Sequence, residues 1–427
     1  MLSLTTGAGL ALPPERAEAA RRVPAQFFAK MYSEALGRMP DRGGWAAMVA
    51  DFLEHGCSTA RLKERVRGFY TSAEYVGLPY DHESKVLTLY RGALNREPDQ
   101  SGLDHFSDQL ETGTRTWSQL VDVFTDSGEF QTLAAEICGS SSGYQFGTTP
   151  APRLSTFGEG FVGGTGEQLQ ELLDATPVGG TVYLAQKALV RVKEMLVVPP
   201  GRTLATIGAP TAREYARQGR LVREEGFPAP VVRVMGGGRL QNVWVDGQRG
   251  SAANYVQAAI NVQLMGGSGT WLSDSKISNS LGWSNVQAFG SYEKLPCQST
   301  RISGNLITAY SSDHKGAKWT DGLSVACENA TIEDNGVIDA TDVGIVLFRS
   351  SPAVQRSSVR GNLVLNAGNS AFGAIGVDGL HGQGVTHDFT GVMLRGGERI
   401  GQRPGAPARW AGRAHLATRF ACAPLFI

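Results

Sequence analysis

Four segments of this chain superimpose: Leu272-x-x-Ser275-x-Ile277, Ile302-x-x-Asn305-x-Ile307, Ile332-x-x-Asn335-x-Val337 and Val359-x-x-Asn362-x-Val364. Each keeps apolar, polar and apolar residues in the same places, and the heads of the four copies, Leu272, Ile302, Ile332 and Val359, are almost evenly spaced. A partial copy, Leu240-x-x-Val243-x-Val245, stands one such interval upstream of the first. A period in this range belongs to a solenoid whose repeats bury their faces only against one another. The unit is rich in Ile, Val and Thr and in Gly-Asn turns, so it is built from strands. Alternate residues of a strand share a side, which sends the recurring apolar positions into the coil interior. Asn305, Asn335 and Asn362 then stack at one corner, each amide bonding to the turn of the next coil. The pattern predicts an all-β right-handed parallel β-helix over 165–397.

The front of the chain has a different and longer period. Met31-Tyr32-x-x-Ala35-Leu36-x-Arg38-x-Pro40-Asp41-x-x-Gly44-Trp45 returns as Leu89-Tyr90-x-x-Ala93-Leu94-x-Arg96-x-Pro98-Asp99-x-x-Gly102-Leu103, every pair at the same offset. Phe69-x-x-Ser72-x-Glu74-Tyr75 returns as Phe124-x-x-Ser127-x-Glu129-Phe130. Apolar residues fall at helical spacing (Phe28, Met31, Tyr32, Leu36; Val86, Leu89, Tyr90, Leu94), predicting an all-α tandem over 25–137. Asp41 and Asp99 are placed to cap the helix that follows Pro-Asp. The two units resemble the bacterial module known as domain of unknown function 4214, marked by Tyr-x-x-x-Leu-x-Arg-x-Pro-Asp-x-x-Gly and a later Ser-x-Glu-Phe, with Tyr75 in place of Phe in the first unit. That resemblance implies a surface-associated or exported bacterial protein and no established chemistry. Arg38 and Arg96 are expected to bond helix C-terminal carbonyls within the module rather than a ligand.

Residues 138–164, with Ser140-Ser141-Ser142-Gly143 and Pro150-Ala151-Pro152, read as a linker that keeps the halves apart. Thr165-x-x-Gln168 then reads as a capping box, and Leu169, Leu172 and Leu173 as one apolar helix face. A short helix feeding Gly179-Gly180-Thr181-Val182-Tyr183-Leu184 resembles the opening of pectate-lyase-like β-helix proteins. That resemblance implies a helix plugging the open end of the coil, and a carbohydrate-active protein.

Composition narrows the picture. The 40 basic and 40 acidic residues cancel, which argues against a nucleic-acid binder with its basic footprint. No stretch is long and apolar enough to span a membrane. Residues 1–24 lack the apolar core of a signal peptide and are expected to be disordered, so an interior location stays open beside the cell surface. The five cysteines show no metal-ligand spacing. Cys297 and Cys327 stand at equivalent positions of consecutive repeats, hence about 5 Å apart on neighbouring coils, with stacked free thiols expected ahead of a disulfide.

Candidate chemistry gathers in one stretch. Asp321-Gly322-Leu323-Ser324-Val325 and Asp342-Val343-Gly344-Ile345-Val346 should enter equivalent strands one coil apart, making Asp321 and Asp342 neighbours. Asp339 lies on the approach to the second strand, and Asp313, His314, Lys315 and Lys318 form a polar loop leading to Trp319. Rows of carboxylates on a β-helix make an acid/base pair, and calcium is the cofactor such a row would admit. A hydrolase needs one protonated and one ionised carboxyl; a lyase needs a cation to neutralise a uronate and a base such as Lys315, Lys318 or His314. Asp321, Asp342, Asp313, His314 and Lys318 are therefore the catalytic candidates, with Trp319, Lys315 and Asp339 contacting a polysaccharide. Each aspartate alone reads more readily as turn chemistry, and only the cluster taken together weighs evenly between the two roles. Thr320-Asp321-Gly322 is similar to part of the Asn-Thr-Asp stretch of polygalacturonase-type hydrolases, but Trp319 replaces the Asn and no catalytic assignment follows. The competing expectation is a non-catalytic surface or glycan-binding protein.

After Glu398 the apolar pattern stops and no acidic residue follows, while arginine, alanine, proline and glycine accumulate. Residues 398–427 are expected to be foreign to the solenoid, as after a truncation or frameshift.

Overall fold

The computed structural model describes residues 23–139, 149–248, 255–290, 296–309, 319–348, 357–367 and 373–377, with backbone alone at 386–387, 393–396 and 420–421. The expected disordered start, save Val23 and Pro24, lies outside the described residues. So does the atypical tail, except that Phe420–Ala421 pairs antiparallel with Thr386–His387.

An all-α region comes first. Its helices are α1 (Ala25–Ala35), α2 (Arg42–His55), α3 (Thr59–Tyr70), α4 (Ala73–Val76), α5 (His82–Ala93), α6 (Gln100–Glu111), α7 (Trp117–Asp126) and α8 (Gly128–Gly139). The repeated residues explain one another. Asp41 and Asp99 accept from the amides of Gly44 and Gly102, capping α2 and α6. Those glycines make room for the tyrosines: a Cβ would stand 2.5 Å from the Tyr32 hydroxyl and 2.6 Å from that of Tyr90, so the ring would have to shift. Ser72 and Ser127 accept from the amides of Tyr75 and Phe130. Arg38 grips Glu74 with two nitrogens, 2.6 and 2.8 Å, and Arg96 grips Glu129 likewise, so each guanidinium ties the first mark of its unit to the second. Each also stacks on the tyrosine of its own unit, Arg38 on Tyr32 and Arg96 on Tyr90. The expected carbonyl bonds reduce to one apiece, from Arg38 to Met39 O and from Arg96 to Glu97 O. The carboxylates dominate because a forked, charge-assisted pair is stronger than a bond to a neutral carbonyl.

Beyond it lies an all-β solenoid of parallel strands, in the register that the sequence overlay predicts. Leu272, Ile302, Ile332 and Val359 are successive partners, as are Ile277, Ile307, Val337 and Val364. Both rows are fully buried in one apolar core with Leu204, Leu240, Leu221 and Val245. The chain turns between these rows through left-handed residues: Asn242, Asp274, Gly304, Asp334 and Gly361 all have φ between 51° and 68°. Only Gly, Asn and Asp adopt that conformation cheaply, which accounts for their recurrence. The asparagine ladder forms as expected. Asn305 donates to Leu272 O and Asn335 Oδ1, Asn335 to Ile302 O and Asn362 Oδ1, and Asn362 to Ile332 O.

One continuous sheet folds around that corner and makes two flanks, joined by the long strand Thr181–Val192. The first flank carries Thr203–Thr206, Arg239–Gln241, Trp271–Ser273, Arg301–Ser303, Thr331–Glu333 and Ser358–Arg360. The second carries Gly219–Arg223, Val243–Asp246, Lys276–Ser278, Leu306–Thr308, Gly336–Ile338 and Leu363–Asn366. A separate sheet of seven strands, which forms the third face of the coil and is called the third sheet, runs from Leu196–Val198 to Gly373–Val377. Helix α9 (Gly166–Ala175) starts at the predicted capping box and buries Leu169 and Leu173 in the core at the first coil. Leu172 is exposed, because a narrow helix face already filled by Leu169 and Leu173 has no room for it.

The expectation that 138–164 holds the halves apart does not stand. Helix α8 runs to Gly139, and Phe161–Thr165 is already a strand paired with Thr181–Val192. Between them the Arg153 backbone donates to and accepts from the Gln100 side-chain amide, and Ser155 donates to the Glu83 carboxylate. The helical region packs on the outer side of the second flank, where Trp244, Leu306, Ile338 and Leu365 join its core. Apolar residues at outward strand positions need a cover, and the module is that cover.

Two disulfides form among the described residues. Cys297 and Cys327 are bonded, with Cα atoms 4.7 Å apart, so the spacing expectation holds and the free-thiol expectation does not. In-register neighbours on parallel strands already meet the distance a disulfide needs. Cys57 and Cys138, far apart in sequence, bond between the loop after α2 and the end of α8, a pairing that no sequence spacing announced.

Candidate functional site

Asp321 opens the strand Asp321–Ala326 of the third sheet, paired with Ser284–Phe289 on one side and Val343–Leu347 on the other. Leu323 and Val325 fill the core. Gly322 admits no side chain, since a Cβ would meet Gly344 O at 2.3 Å and Val337 Cγ1 at 2.5 Å. Asp321 is only 3% exposed, and its carboxyl turns back along its own strand to Ser324. Its Oδ1 accepts from the Val343 amide at 3.0 Å, and its Oδ2 lies 2.8 Å from Ser324 Oγ.

Burial pushes this carboxyl up to about 7, with the Asp342 charge adding to the effect. The hydroxyl geometry agrees. Ser324 Oγ is also 2.9 Å from Ser284 Oγ, and Ser284 donates to Val286 O at 2.8 Å. A protonated Asp321 can donate to Ser324, which then donates to Ser284, so every hydrogen is used. An ionised Asp321 claims the Ser324 hydrogen and leaves Ser284 without its donor.

Asp342 is half-buried, and its carboxyl is raised by burial. Its amide bonds Thr320 O, which places it in register with Thr320 and beside Asp321, the neighbour relation expected from sequence. No cation among the described residues contributes to the shift of either carboxyl. Trp319, two residues before Asp321, is 39% exposed. Trp283 and Phe348 meet edge to face across the same sheet, centroids 6.4 Å apart. A polar ladder leads along the outer side: Arg233 Nε donates to Gln263, and Gln263 donates to Gln287, whose strand partner is Ser324.

The remaining candidates divide. Asp339 is buried at the far corner of the second flank in left-handed conformation, φ 53°, and accepts from the Ala367 amide. That is corner chemistry. Asp313, His314, Lys315 and Lys318 lie outside the described residues. Among the described residues no group of three or more His, Cys, Asp or Glu side chains could hold a metal ion, so the calcium expectation finds no site there. No helix among them is long and apolar enough to cross a membrane.

Sequence reasoning missed the densest charge cluster. Under the helical module an alternating chain runs Lys276, Glu34, Arg91, Glu97, Arg220, Asp246, three cations and three anions that are all buried. Lys276 Nζ and Arg91 Nε each lie 2.7 Å from Glu34. Arg91 also binds Glu97, Arg220 reaches Glu97 at 2.7 Å, and Arg220 reaches Asp246 at 2.5 Å. Arg220, Arg91 and Lys276 surround the Trp244 ring at 3.7, 4.6 and 5.4 Å. Burial opposes the charged form of Glu34, but Arg91 and Lys276 outweigh it and hold its carboxyl well below the usual range. Burial pushes Lys276 down to about 7, although Glu34 beside it pulls the other way. A set this compensated binds two regions together and leaves no charge for a substrate.

The family model for a domain of unknown function, DUF4214, matches residues 67–134, which include the whole second unit from Tyr90 to Phe130. No curated protein matches the chain. Among solved structures, the Dettilon tailspike protein is 14% identical with a TM-score of 0.34, over 50% of this chain and 43% of that one. An alginate lyase from a Paenibacillus species is 11% identical with a TM-score of 0.25, over 54% of this chain and 99% of that one. The chain thus spans less than half the length of the tailspike it resembles. Both likenesses are remote, and the solenoid rests on its own strand register.

Proposed function

We propose that this is a carbohydrate-active enzyme, a glycoside hydrolase or polysaccharide lyase, that acts on an acidic polysaccharide at or outside the cell surface. The observation that carries the reading is the adjacent pair Asp321 and Asp342, both raised and neither balanced by a cation among the described residues. A carboxyl that keeps its proton near neutrality beside a second, more accessible one is the arrangement hydrolytic acid/base chemistry requires. In this reading Asp342 meets the substrate, Asp321 stores the proton, and exposed Trp319 offers a ring for a sugar face. The lyase alternative draws its base from His314, Lys315 or Lys318. Two disulfides support an oxidising, extracytoplasmic setting.

One observation favours a non-catalytic, glycan-binding protein instead: both oxygens of Asp321 already have protein partners. A panel of uronate-containing and neutral polysaccharides separates the readings. Unsaturated ends, seen by absorbance, mark a lyase, and reducing ends without absorbance mark a hydrolase. Turnover should vanish in Asp342→Asn. Turnover that persists in both Asp342→Asn and Asp321→Asn removes the pair from catalysis.

A further inference from the structure

The outer side of the first flank carries a feature that neither the module nor the aspartate pair uses. Arg239, Trp271 and Arg301 are successive partners on adjacent parallel strands, so their side chains stack in one row. Both arginines are exposed. Their guanidinium carbons sit over the Trp271 ring at 5.4 and 4.9 Å, one from each neighbouring strand. The indole is itself fixed by a bond from its Nε1 to Ser303 Oγ, 3.1 Å. Stacking on a fixed ring restrains two otherwise flexible side chains, which lowers the entropy lost when they grip a ligand. Among the described residues Arg239 has no carboxylate partner, whereas Arg301 is shared with Glu333.

We propose that this row is a binding face for an acidic polysaccharide, whose carboxylates dock on Arg239 and Arg301 while the chain runs along the solenoid axis across the strands. Planar guanidinium groups match carboxylates in a forked, paired geometry that lysine cannot reproduce. The two arginines are two strand spacings apart, roughly 10 Å, the scale of one disaccharide. Thr331 and Ser358 extend the same row with hydroxyl groups. The charge suits a sparsely charged polymer: Arg301 is tempered by Glu333 and by nearby Asp274, which leaves Arg239 as the stronger docking point. A nucleic-acid face would need many more phosphate contacts. The inference is independent of the enzyme reading, since the third sheet takes no part in it.

The test is a binding titration of the full chain with polygalacturonate fragments of defined length, beside neutral glucan fragments of the same length. Running it with and without Asp342→Asn keeps the result apart from turnover. Exchanging both Arg239 and Arg301 for Ala should raise the Kd for polygalacturonate at least about tenfold and leave the neutral glucan unchanged. Binding should weaken as salt rises. Glu333→Gln frees Arg301 and should tighten binding, which no loss of folding could imitate. Unchanged polygalacturonate affinity in the double variant would overturn the proposal. So would weaker binding by Glu333→Gln, or equal affinity of the unmodified protein for single-stranded DNA.

Discussion

Glu34 and Asp321 are both carboxyls removed from water, and they end up shifted in opposite directions. Glu34 lies under the helical module with Lys276, Arg91 and the Tyr215 hydroxyl all within 2.8 Å, and its carboxyl falls well below the usual range. Asp321 lies in the open third sheet with one hydroxyl and one amide, and it rises to about 7. Desolvation is the largest influence on each. What differs is the company: cations outweigh it in one place and are missing among the described residues of the other. The covered flank therefore uses charge to join two regions, and the open sheet keeps a carboxyl whose proton can be exchanged near neutrality.

Removing the compensation should erase the difference, and this is the largest effect expected. Arg91→Met strips Glu34 of its main partner and leaves Glu97 to Arg220 alone. Breaking a buried pair from one side costs about 3–5 kcal/mol, which chemical denaturation would read directly. The pH dependence should change too. The folded-state value of Glu34 lies below its unfolded value, so its contribution is present above the ordinary glutamate range and is lost as pH falls through the lowered value. In Arg91→Met the folded-state value moves back towards the unfolded one, so that acid-side loss should shrink. An unchanged acid limb would mean that Arg91 is not what holds Glu34 ionised.

The sequence disclosed the two regions unequally. Strand register and the asparagine ladder were legible because each position is sampled in several copies at a nearly constant offset. The pairing of Cys297 with Cys327 was half legible, since spacing gave the distance and not the bond. The charge chain was hidden because a lone Glu, Arg or Lys ordinarily signals a solvated surface. A signal existed nonetheless. The helical repeats align Met31 with Leu89 and Tyr32 with Tyr90, yet Ser33 then stands opposite Arg91 and Glu34 opposite Gly92. That break marks where one unit meets something the other does not. Trp244, Leu306 and Ile338 gave a second signal, as apolar residues at outward strand positions. The neighbour relation of Asp321 and Asp342 followed from strand alignment, whereas the burial of Asp321 depended on a side-chain turn that no period encodes.

Asp321→Asn sharpens the other side of the comparison. The folded value exceeds the unfolded one, so the aspartate costs nothing below about pH 4 and increasingly destabilises the fold as pH rises from there to about 7. Asparagine never ionises, and its amide can still donate to Ser324 while its oxygen accepts from Val343. The variant should match the unmodified protein at about pH 4 and exceed it by about 1–3 kcal/mol at about pH 8, within the ceiling of roughly 4 kcal/mol that the shift allows. Equal pH profiles for the two proteins would show that Asp321 ionises freely in the fold.

The smallest effect concerns how closely the covered flank is fitted. Gly336 belongs to the outward row of the second flank, between Leu306 and Leu363. A Cβ there would stand 2.4 Å from Met39 Cγ and 2.8 Å from its sulfur, in the loop between Arg38 and the capping Asp41. Nothing in the local backbone calls for glycine, since its φ is not positive. The requirement comes from the module seated above. Alanine must therefore displace Met39, a flexible side chain that can rotate, at a cost of about 1 kcal/mol, near the low end for overfilling a packed site. A fall in denaturation midpoint of that size, cancelled by adding Met39→Ala, would show the module clamped against the solenoid at this residue. If Gly336→Ala alone leaves stability unchanged, the covering is looser than the buried charges beneath it imply.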